Sequence, residues 1–389
     1  MTQIEQYLGM SEAEARDMVL ARIRTYVEHE TPSYHATEIT ALAELIERDL
    51  RAVGADVERR DTPGLGRNLI VRFDATRTGA QPSRDDARRP LLALAHIDTV
   101  HALGTIAARP FRIEDGRAHG PGVYDMKAGV ALLVEALHWH HRRQTSLPRP
   151  VTLLLTCDEE VGSHSVRPLI DELARNAEAV LVPEPCMPDG GVKTGRKGVA
   201  TYRIDTTGVA AHAGIEPGTA VSAITELVRQ SLRILALADH SKGTTINIGT
   251  IEGGTATNVV AASASAGVDV RLAVAEEGPR VHDALMSLRP LSEATVTVTL
   301  AESRPPLVRN EQVARVYEYA RALAAELGQD LAEGATGGGS DGSLAAATGA
   351  AVLDGLGPRG GGAHAESEHI IIDDLPFRLA LLCRLIETI

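Results

Sequence analysis

Two short segments of the chain place residues that can bind metal next to an apolar run or a glycine-rich turn. His96 and Asp98 end an apolar run and, being two residues apart, point to the same face of a strand. A neutral imidazole is a good zinc ligand, and a carboxylate on its second nitrogen fixes the tautomer. Asp125 follows a glycine-rich turn at the start of a predicted helix. Both segments also fit ordinary structural roles, a hydrogen-bonded buried histidine and a helix N-cap, and taken alone Asp125 fits the cap better.

Carboxylates are concentrated after two further apolar runs. Asp158, Glu159 and Glu160 end one of these runs, and Glu184 ends the other. Three adjacent carboxylates repel one another and are costly to desolvate unless cations gather there, although a solvated acidic loop also explains them. Because consecutive side chains diverge, one carboxylate can bind metal while its neighbour serves as a general base. His364 lies far along the chain in a glycine-rich loop.

The apolar runs predict the elements that would bring these residues together. Residues 68–73, 91–95, 151–156 and 179–182 resemble buried strands of a largely parallel sheet, with helical stretches between several of them. In an open parallel sheet the carboxyl ends of the strands share one edge, where ligands bind. Successive strands would therefore deliver histidine and carboxylate side chains to one edge, and metal binding explains this convergence.

The middle of the chain has a different pattern. Between residues 198 and 300, four alternating stretches predict paired strands and two others predict helices, so we expect a small α+β domain. The polar residues 77–90 predict an exposed loop. The predicted fold class is α/β, with a mostly parallel sheet sandwiched by helices in a discontinuous catalytic domain at residues 1–194 and 306–389. Residues 195–305 form the inserted domain in this prediction.

Charge and composition exclude some classes of protein. The net charge of −13 and the lack of a basic stripe argue against nucleic-acid binding, while bound cations would still permit an anionic substrate. No apolar run reaches membrane-spanning length, and residues 1–10 lack the features of a signal peptide. The three scattered cysteines fit reduced thiols, so we predict a cytoplasmic protein.

The order and spacing of the motifs resemble those of a two-zinc family that includes glutamate carboxypeptidases, aminoacylases, acetylornithine deacetylases and succinyl-diaminopimelate desuccinylases. The matching segments, which extend over essentially the whole chain, are His96–Asp98, Gly120–Lys127, Asp158–Ser163, Glu184–Pro185 and His364–Glu368. Within this family the chain is most similar to bacterial glutamate carboxypeptidase, which shares the Glu-Pro pair and the glycine loop at Thr336–Asp341. Tyr124 and Met126 depart from its pattern of Ala and Asp, a difference that could alter the pocket.

The resemblance implies five metal ligands and two further catalytic residues. The ligands would serve two zinc ions, with His96 and Glu184 on one, Glu160 and His364 on the other, and Asp125 bridging them. Asp98 would orient His96, and Glu159 would take a proton from a zinc-bridging water that attacks the amide. Cobalt or manganese would suit the same ligands. In this family the peptide bond after the bridging aspartate is cis, which here is the bond between Asp125 and Met126.

The resemblance also implies substrate contacts in or near the inserted domain. Positions that reach the substrate are matched by His212, Asn258 and Arg271, the first two acting across a dimer interface. Positions that hold a free carboxylate are matched by Arg304, Gly337, Gly338 and Gly339, and arginine suits this role because it can bind a carboxylate through two hydrogen bonds. Without the resemblance, His212 is more typical of a turn and Arg271 of a strand surface. The inserted domain would thus be the lid and dimerisation domain of a homodimer.

The predicted function is metal-dependent hydrolysis of an amide bond beside a free carboxylate, in a small molecule or a peptide. It would release a C-terminal amino acid, with glutamate as the expected one. An N-acyl amino acid deacylase would use the same catalytic residues with a different acyl pocket. A non-hydrolytic binder or a biosynthetic enzyme could also be built on this scaffold, but clustered carboxylates are a liability without metal, and the complete ligand set favours a hydrolase.

Overall fold

The computed structural model describes residues 1–74, 88–215 and 217–389 of the chain, so residues 77–87 of the predicted exposed loop lie outside the described residues. The α-helices are α1 (Gln3–Leu8), α2 (Glu12–Val27), α3 (Ala36–Ala52), α4 (Thr105–Ala108), α5 (Ala128–Arg143), α6 (Arg167–Asn176), α7 (Ala223–Leu235), α8 (Glu277–Met286), α9 (Glu311–Glu326), α10 (Asp341–Ala347) and α11 (Leu375–Thr388). The strands are β1 (Asp56–Thr62), β2 (Gly66–Phe73), β3 (Leu91–His96), β4 (Arg112–Glu114), β5 (Arg117–His119), β6 (Val151–Thr156), β7 (Ala179–Val182), β8 (Val192–Arg196), β9 (Gly198–Thr207), β10 (Thr245–Gly253), β11 (Ser263–Leu272), β12 (Thr295–Arg304), β13 (Glu333–Thr336), β14 (Val352–Asp354), β15 (Gly360–Gly361) and β16 (His369–Ile371).

The chain divides into two compact units. The first unit comprises Met1–Gly195, Arg309–Thr336 and Ser340–Ile389, and the second unit comprises Arg196–Val308 and Gly337–Gly339. The chain returns to the first unit three residues later than the sequence prediction places the boundary. The glycine loop at Gly337–Gly339 belongs to the second unit, whereas the prediction placed it in the discontinuous domain.

An eight-stranded sheet forms the centre of the first unit, in the order β1-β2-β6-β3-β7-β14-β8-β13. Its four middle strands, β6, β3, β7 and β14, are parallel, so the predicted α/β fold class is confirmed. The predicted strand at residues 68–73 pairs antiparallel with β6, and β1 pairs antiparallel with β2 as the other half of a hairpin. A continuous apolar pattern signals burial on both faces but carries no information on strand direction.

Both faces of the middle strands are buried. Along β3, Leu91, Ala93 and Ala95 pack in one core cluster with residues of α2, α5 and α11. The alternate residues Leu92 and Leu94 are also fully buried, so the opposite face of the strand is covered too. Burial on both faces explains why the strand is an unbroken apolar run, and it leaves the end of the strand as the place for polar side chains.

A small sheet with the order β15-β16-β5-β4 lies in the same unit. In it β16 pairs antiparallel with β5, with His369 opposite His119 and Ile371 opposite Arg117. The pairing brings together two segments that are far apart in sequence. One is the Asp125 turn (Gly120–Asp125), which follows β5, and the other is the His364 loop (Gly362–Glu368), which lies between β15 and β16.

The second unit is an antiparallel sheet with helices packed on it. Its strands have the order β10-β11-β9-β12, and α7 packs against β9, β10 and β11. Alternate residues of β9 and β11 enter its core, for example Tyr202, Ile204, Val268 and Val270, as the alternating sequence pattern predicts.

The three cysteines, Cys157, Cys186 and Cys383, are buried free thiols. Among the described residues, none of the helices combines the length and the apolar character needed to cross a membrane.

Candidate active site

Three neighbouring parallel strands carry predicted metal ligands at their carboxyl ends. His96 is the last residue of β3, Glu160 follows β6 by four residues, and Glu184 follows β7 by two. Asp125 lies in the turn that precedes α5, and His364 lies in the loop between β15 and β16. The first unit therefore brings the five predicted ligands to one edge of its sheet, although they come from segments as much as 268 residues apart along the chain.

The Asp125 carboxylate lies between the two histidines. Its Oδ1 is 3.2 Å from His96 Nε2, and its Oδ2 is 3.3 Å from His364 Nε2. A second carboxylate accompanies each imidazole: Glu184 Oε1 lies 3.6 Å from His96 Nε2, and Glu160 Oε2 lies 3.2 Å from His364 Nε2. The site thus contains two sets of three donors that share Asp125.

This donor set fits divalent metal ions. Ligand atoms of His96, Asp125 and Glu160 all lie within 4.8 Å of one another. The nitrogen–oxygen distances in the site are close to the roughly 3.3 Å that separates two tetrahedral ligands about 2.0–2.1 Å from one zinc ion. Glu160 Oε1 is buried and has no hydrogen-bond partner among the described residues. A buried carboxylate oxygen without a donor is costly, and a bound cation would satisfy it.

The pKa shifts of the predicted ligands also indicate a site that attracts cations. Hydrogen bonds to Asp125 and then Glu160 raise the pKa of His364 to about 10, against a smaller opposing effect of burial. Burial lowers the pKa of His96, but its contacts with Asp125, Asp98 and Glu184 outweigh burial and raise that pKa above its usual range. Burial raises the pKa of Glu160. The carboxylates therefore create a strong negative potential at both imidazoles, which is the field that attracts a cation.

Asp98 holds the acidic segment in place. Its buried carboxylate accepts hydrogen bonds from Glu159 N at 3.1 Å, Glu160 N at 3.2 Å and Ser33 Oγ at 2.9 Å. His96 Nδ1 lies 3.0 Å from the carbonyl oxygen of Asp98 and 3.5 Å from its carboxylate Oδ1. The nearer acceptor for His96 is thus the backbone carbonyl of Asp98, and the Asp98 carboxylate holds the backbone of Glu159 and Glu160.

The three consecutive acids have different surroundings. Asp158 is fully buried, and its carboxylate accepts hydrogen bonds from Ser165 N and Ser165 Oγ, both at 2.8 Å. Glu159 and Glu160 are partly buried in a short 3₁₀ turn, and Glu160 faces His364. Asp158 therefore stabilises the loop through its hydrogen bonds with Ser165, whereas Glu159 and Glu160 belong to the candidate site.

The two departures from the glutamate carboxypeptidase pattern are buried. The Tyr124 side chain is 9% exposed, and its hydroxyl donates to the carbonyl oxygen of Cys186 at 3.4 Å. Met126 is 1% exposed, and its Sδ accepts from His96 N at 3.4 Å. The peptide bond between Asp125 and Met126 is cis, as the resemblance implies. Met126 thus contacts the predicted metal ligand His96, and Tyr124 contacts the segment that follows the predicted ligand Glu184.

Three arginines of the second unit surround the glycine loop. Arg271 on β11 and Arg304 on β12 both lie opposite Val199 of β9, so their side chains share one face of the sheet. Arg271 Nη1 donates to Gly337 O at 3.1 Å. A Cβ at Gly339 would lie 3.1 Å from Arg304 Cδ and 3.5 Å from Val199 Cγ2, so the glycine loop packs directly against the sheet face that carries these side chains.

Arg196 is a member of this group that sequence reasoning missed. It is 4% exposed, and its Nη1 donates to Gly338 O at 3.2 Å and Gly339 O at 3.0 Å. Its strand, β8, is buried but is not an apolar run in the sequence, so no local pattern marks Arg196.

His212 and Asn258 lie side by side in exposed loops of the second unit. His212 forms an antiparallel bridge with Val259, and Ala213 N donates to Asn258 O at 2.9 Å. The structure therefore groups the predicted substrate residues into an arginine–glycine cluster and a histidine–asparagine pair.

Known proteins are similar to this chain in sequence and in fold. The sequence model described as Peptidase family M20/M25/M40 matches residues 92–388. Carboxypeptidase G2 from Pseudomonas sp. (strain RS-16) is 32% identical over 394 residues, which cover 98% of this chain and 92% of that protein. A succinyl-diaminopimelate desuccinylase from Halorhodospira halophila is 28% identical, covering 82% of this chain and 87% of its own.

Solved structures agree on the fold. The crystal structure of a tripeptidase from Staphylococcus aureus superposes with a TM-score of 0.76 at 23% identity, covering 96% of this chain and 98% of that one. At this level of identity the likeness shows a shared fold. The family match and the full-length relative together confirm the predicted resemblance, and the chain is therefore a hydrolase that belongs to peptidase family M20/M25/M40.

Proposed function

We propose that this protein is a two-metal carboxypeptidase that releases a C-terminal amino acid, glutamate above others, from a peptide or an N-acyl conjugate. The observation that carries the proposal is the Asp125 carboxylate, whose two oxygens each face a different histidine, with one further carboxylate beside each histidine. The carboxypeptidase relative that aligns along nearly the whole chain supports the choice of reaction.

The metal ions would be held by the two donor sets that share Asp125. His96 and Glu184 would bind one ion, and His364 and Glu160 would bind the other. When bound, the ions supply Lewis acidity that polarises the amide carbonyl and lowers the pKa of the attacking water towards about 7. Histidine and carboxylate ligands suit zinc, and they also accept cobalt or manganese.

Glu159 would act as the general base. It takes a proton from the attacking water as the new carbon–oxygen bond forms, and it passes that proton to the amine nitrogen as the carbon–nitrogen bond breaks. Its backbone is held by Asp98, which holds Glu160 in the same way. The base and a metal ligand are thus fixed relative to each other by one carboxylate.

The arginine–glycine cluster would bind the free carboxylate of the substrate. Arg196, Arg271 and Arg304 concentrate positive charge around a loop in which three successive residues have no side chain, so an anion can approach its backbone closely. His212 and Asn258 would reach the substrate as well. In this proposal the second unit is the lid.

A homodimer is part of the proposal. One face of α7 exposes Ile224, Val228, Leu232 and Leu235, and these side chains are between 39% and 66% exposed. Their spacing places them on one side of the helix, and a continuous apolar stripe of this kind is typical of a protein–protein contact. We propose that this stripe pairs with its copy in a second chain.

The test is hydrolysis by the metal-reconstituted protein. The substrates are acyl-glutamates, acyl-aspartates, other N-acyl amino acids and dipeptides, each assayed with and without a chelator. Chelator-sensitive release of glutamate from a peptide or a bulky acyl conjugate is the expected result. No chelator-sensitive release from any substrate would overturn the proposal.

An N-acyl amino acid deacylase is the second candidate, because the desuccinylase relative also aligns along most of the chain. It would leave the same free carboxylate for the arginine–glycine cluster to bind. Faster release from small acyl groups such as acetyl than from peptides or bulky conjugates would favour this candidate over the carboxypeptidase.

A further inference from the structure

Glu368 is a buried carboxylate beside the metal ligands that is neither a ligand nor the general base. It is 2% exposed, and its two oxygens accept four hydrogen bonds. Oε1 accepts from Tyr124 N at 2.9 Å and Asp125 N at 3.0 Å. Oε2 accepts from Gly122 N at 2.9 Å and His101 Nε2 at 2.6 Å. Three of these four donors belong to the backbone of the Asp125 turn.

The position of Glu368 in the chain connects this turn to the other end of the site. It is the last residue of the His364 loop and lies four residues after His364, directly before β16. Because β16 pairs with β5, the strand that leads into the Asp125 turn, the two segments already run side by side. Beyond the end of these strands, the Glu368 carboxylate adds contacts between the two segments, because it accepts hydrogen bonds from backbone N–H groups of the turn, including that of Asp125.

His101 and Arg109 complete the connection. Arg109 Nη2 lies 3.3 Å from His101 Nδ1, and Arg109 Nη1 donates to Ala365 O, next to His364, at 3.3 Å. Since a guanidinium can only donate, His101 Nδ1 is the acceptor and Nε2 carries the proton. His101 thus donates to Glu368 at the end of the His364 loop, while Arg109 donates to Ala365 in the middle of the same loop.

We propose that Glu368 is a positioning residue for the metal centre. It holds the Asp125 turn against the His364 loop, so that the two oxygens of Asp125 keep their places opposite His96 and His364. The inference rests on the proposed metal binding and adds a specific dependence of metal affinity on a residue that does not touch the metal.

The chemistry of the contacts predicts the effect of Glu368→Gln. A glutamine of the same size has one acceptor oxygen and one NH₂ group, so its nitrogen would face backbone N–H donors or the His101 N–H. At least one buried donor would lose its acceptor, and the turn would shift to relieve the contact. Loss of a residue that orients a metal ligand typically weakens metal binding by about 10–100-fold, and we expect a loss of this size for Co²⁺ and Zn²⁺.

Glu47→Gln is the matched control. Glu47 is also a glutamate that is 2% exposed in the first unit, and its carboxylate accepts from Arg51 Nε at 2.8 Å and Arg59 Nε at 2.7 Å. Both variants remove one buried negative charge and should lower the thermal midpoint of unfolding. Only Glu368→Gln should weaken metal binding.

The experiment titrates the full-length apoprotein with Co²⁺, using the visible absorption of the bound ion and competition with a chelator. The wild-type protein and Glu47→Gln should give the same spectrum and the same affinity, while Glu368→Gln should give an altered spectrum and a 10–100-fold lower affinity. An unchanged affinity and spectrum in Glu368→Gln would overturn the positioning role, as would an equal loss in Glu47→Gln. If wild-type protein binds no metal, the proposed function itself fails.

His101→Ala provides a second variant should Glu368→Gln not fold. It removes one of the four donors and leaves the three backbone bonds in place. The expected loss of Co²⁺ affinity is smaller than that for Glu368→Gln, with the same direction of spectral change. Wild-type affinity in His101→Ala would contradict the proposed contact set.

Discussion

Replacing His140 with glutamine should make the first unit less sensitive to acid. His140 lies on α5 with no exposed surface, and its Nε2 donates to Cys383 O on α11 at 3.2 Å. Its Nδ1 is buried and has no hydrogen-bond partner among the described residues. Burial lowers the pKa of His140 from 6.5 to about 4, and the Cys383 carbonyl opposes this only in part. The neutral imidazole therefore fits the folded protein, and the charged one does not.

The sign and size of the effect follow from the two pKa values. Above pH 6.5 His140 is neutral in both the folded and the unfolded chain, so it has no effect on the pH dependence of stability. Between pH 6.5 and 4 the unfolded chain binds the proton and the folded one does not, so stability falls as the pH falls. At about 1.4 kcal/mol per pH unit, the free energy of unfolding should lose about 3 kcal/mol over this interval.

Trp139 makes this loss measurable in the first unit. It is the only tryptophan in the sequence, is 3% exposed, and its ring centroid lies 5.0 Å from that of His140. Denaturant unfolding followed by tryptophan fluorescence, from pH 7.5 to 4, gives the free energy of unfolding at each pH. The control is His141→Gln, the same change at the exposed neighbouring position. All other titrating groups are common to the three proteins, so they cancel in the differences.

The difference in stability between His140→Gln and the wild-type protein should shift by about 3 kcal/mol in favour of the variant as the pH falls from 6.5 to 4. His141→Gln should follow the wild-type curve. A difference between His140→Gln and wild type that stays constant with pH would refute the reasoning, because it would mean that His140 titrates equally in the folded and unfolded chains.

Four further outcomes are expected. Glu159→Gln should keep its bound metal and lose about 10²–10⁴-fold in kcat; loss of metal would show that the roles of Glu159 and its neighbour are reversed. Arg304→Gln should raise KM about tenfold or more by removing a charge-assisted contact with the substrate carboxylate, and an unchanged KM for a series of acyl-glutamates would contradict this role. Leu232→Glu places a charge in the exposed stripe of α7 and should give a monomer in sedimentation, whereas a monomeric wild-type protein would refute the dimer. Gly129→Ala would place its Cβ 2.0 Å from Pro183 O and should cost about 1–3 kcal/mol of stability; a wild-type thermal midpoint would show that α5 can move away at no cost.

Local signals in the sequence determined the elements that carry the ligands. Helix α2 begins after Ser11, which forms a capping box with Glu14, and α3 is followed by Gly54 in the left-handed region at φ 83°. The buried strands β3, β6 and β7 are mostly apolar, and polar residues of ligand type end or follow each of them. Such features depend on residues within one or two turns of each other, so they can be predicted from the sequence.

The parts that sequence reasoning missed depend on contacts between distant segments. The strand β5, Arg117–His119, has no apolar pattern of its own, and it lies in the small sheet between its neighbour in sequence, β4, and the distant strand β16. The direction of β2 was likewise set by its neighbours in the sheet. Arg196 was passed over because the carbonyl groups that it contacts lie more than 140 residues away in the glycine loop.

The sequence by itself thus determined which residue types stand at the ends of the buried strands, and these include three of the five predicted metal ligands, His96, Glu160 and Glu184. Only the tertiary structure decided how those ligands are held. Asp98 holds Glu159 and Glu160 across 61 and 62 residues, and Glu368 holds Asp125 across 243 residues. A carboxylate in the sequence gives no sign of whether it will bind metal or backbone N–H groups, because that depends on which donors the folded chain brings within 3 Å of it.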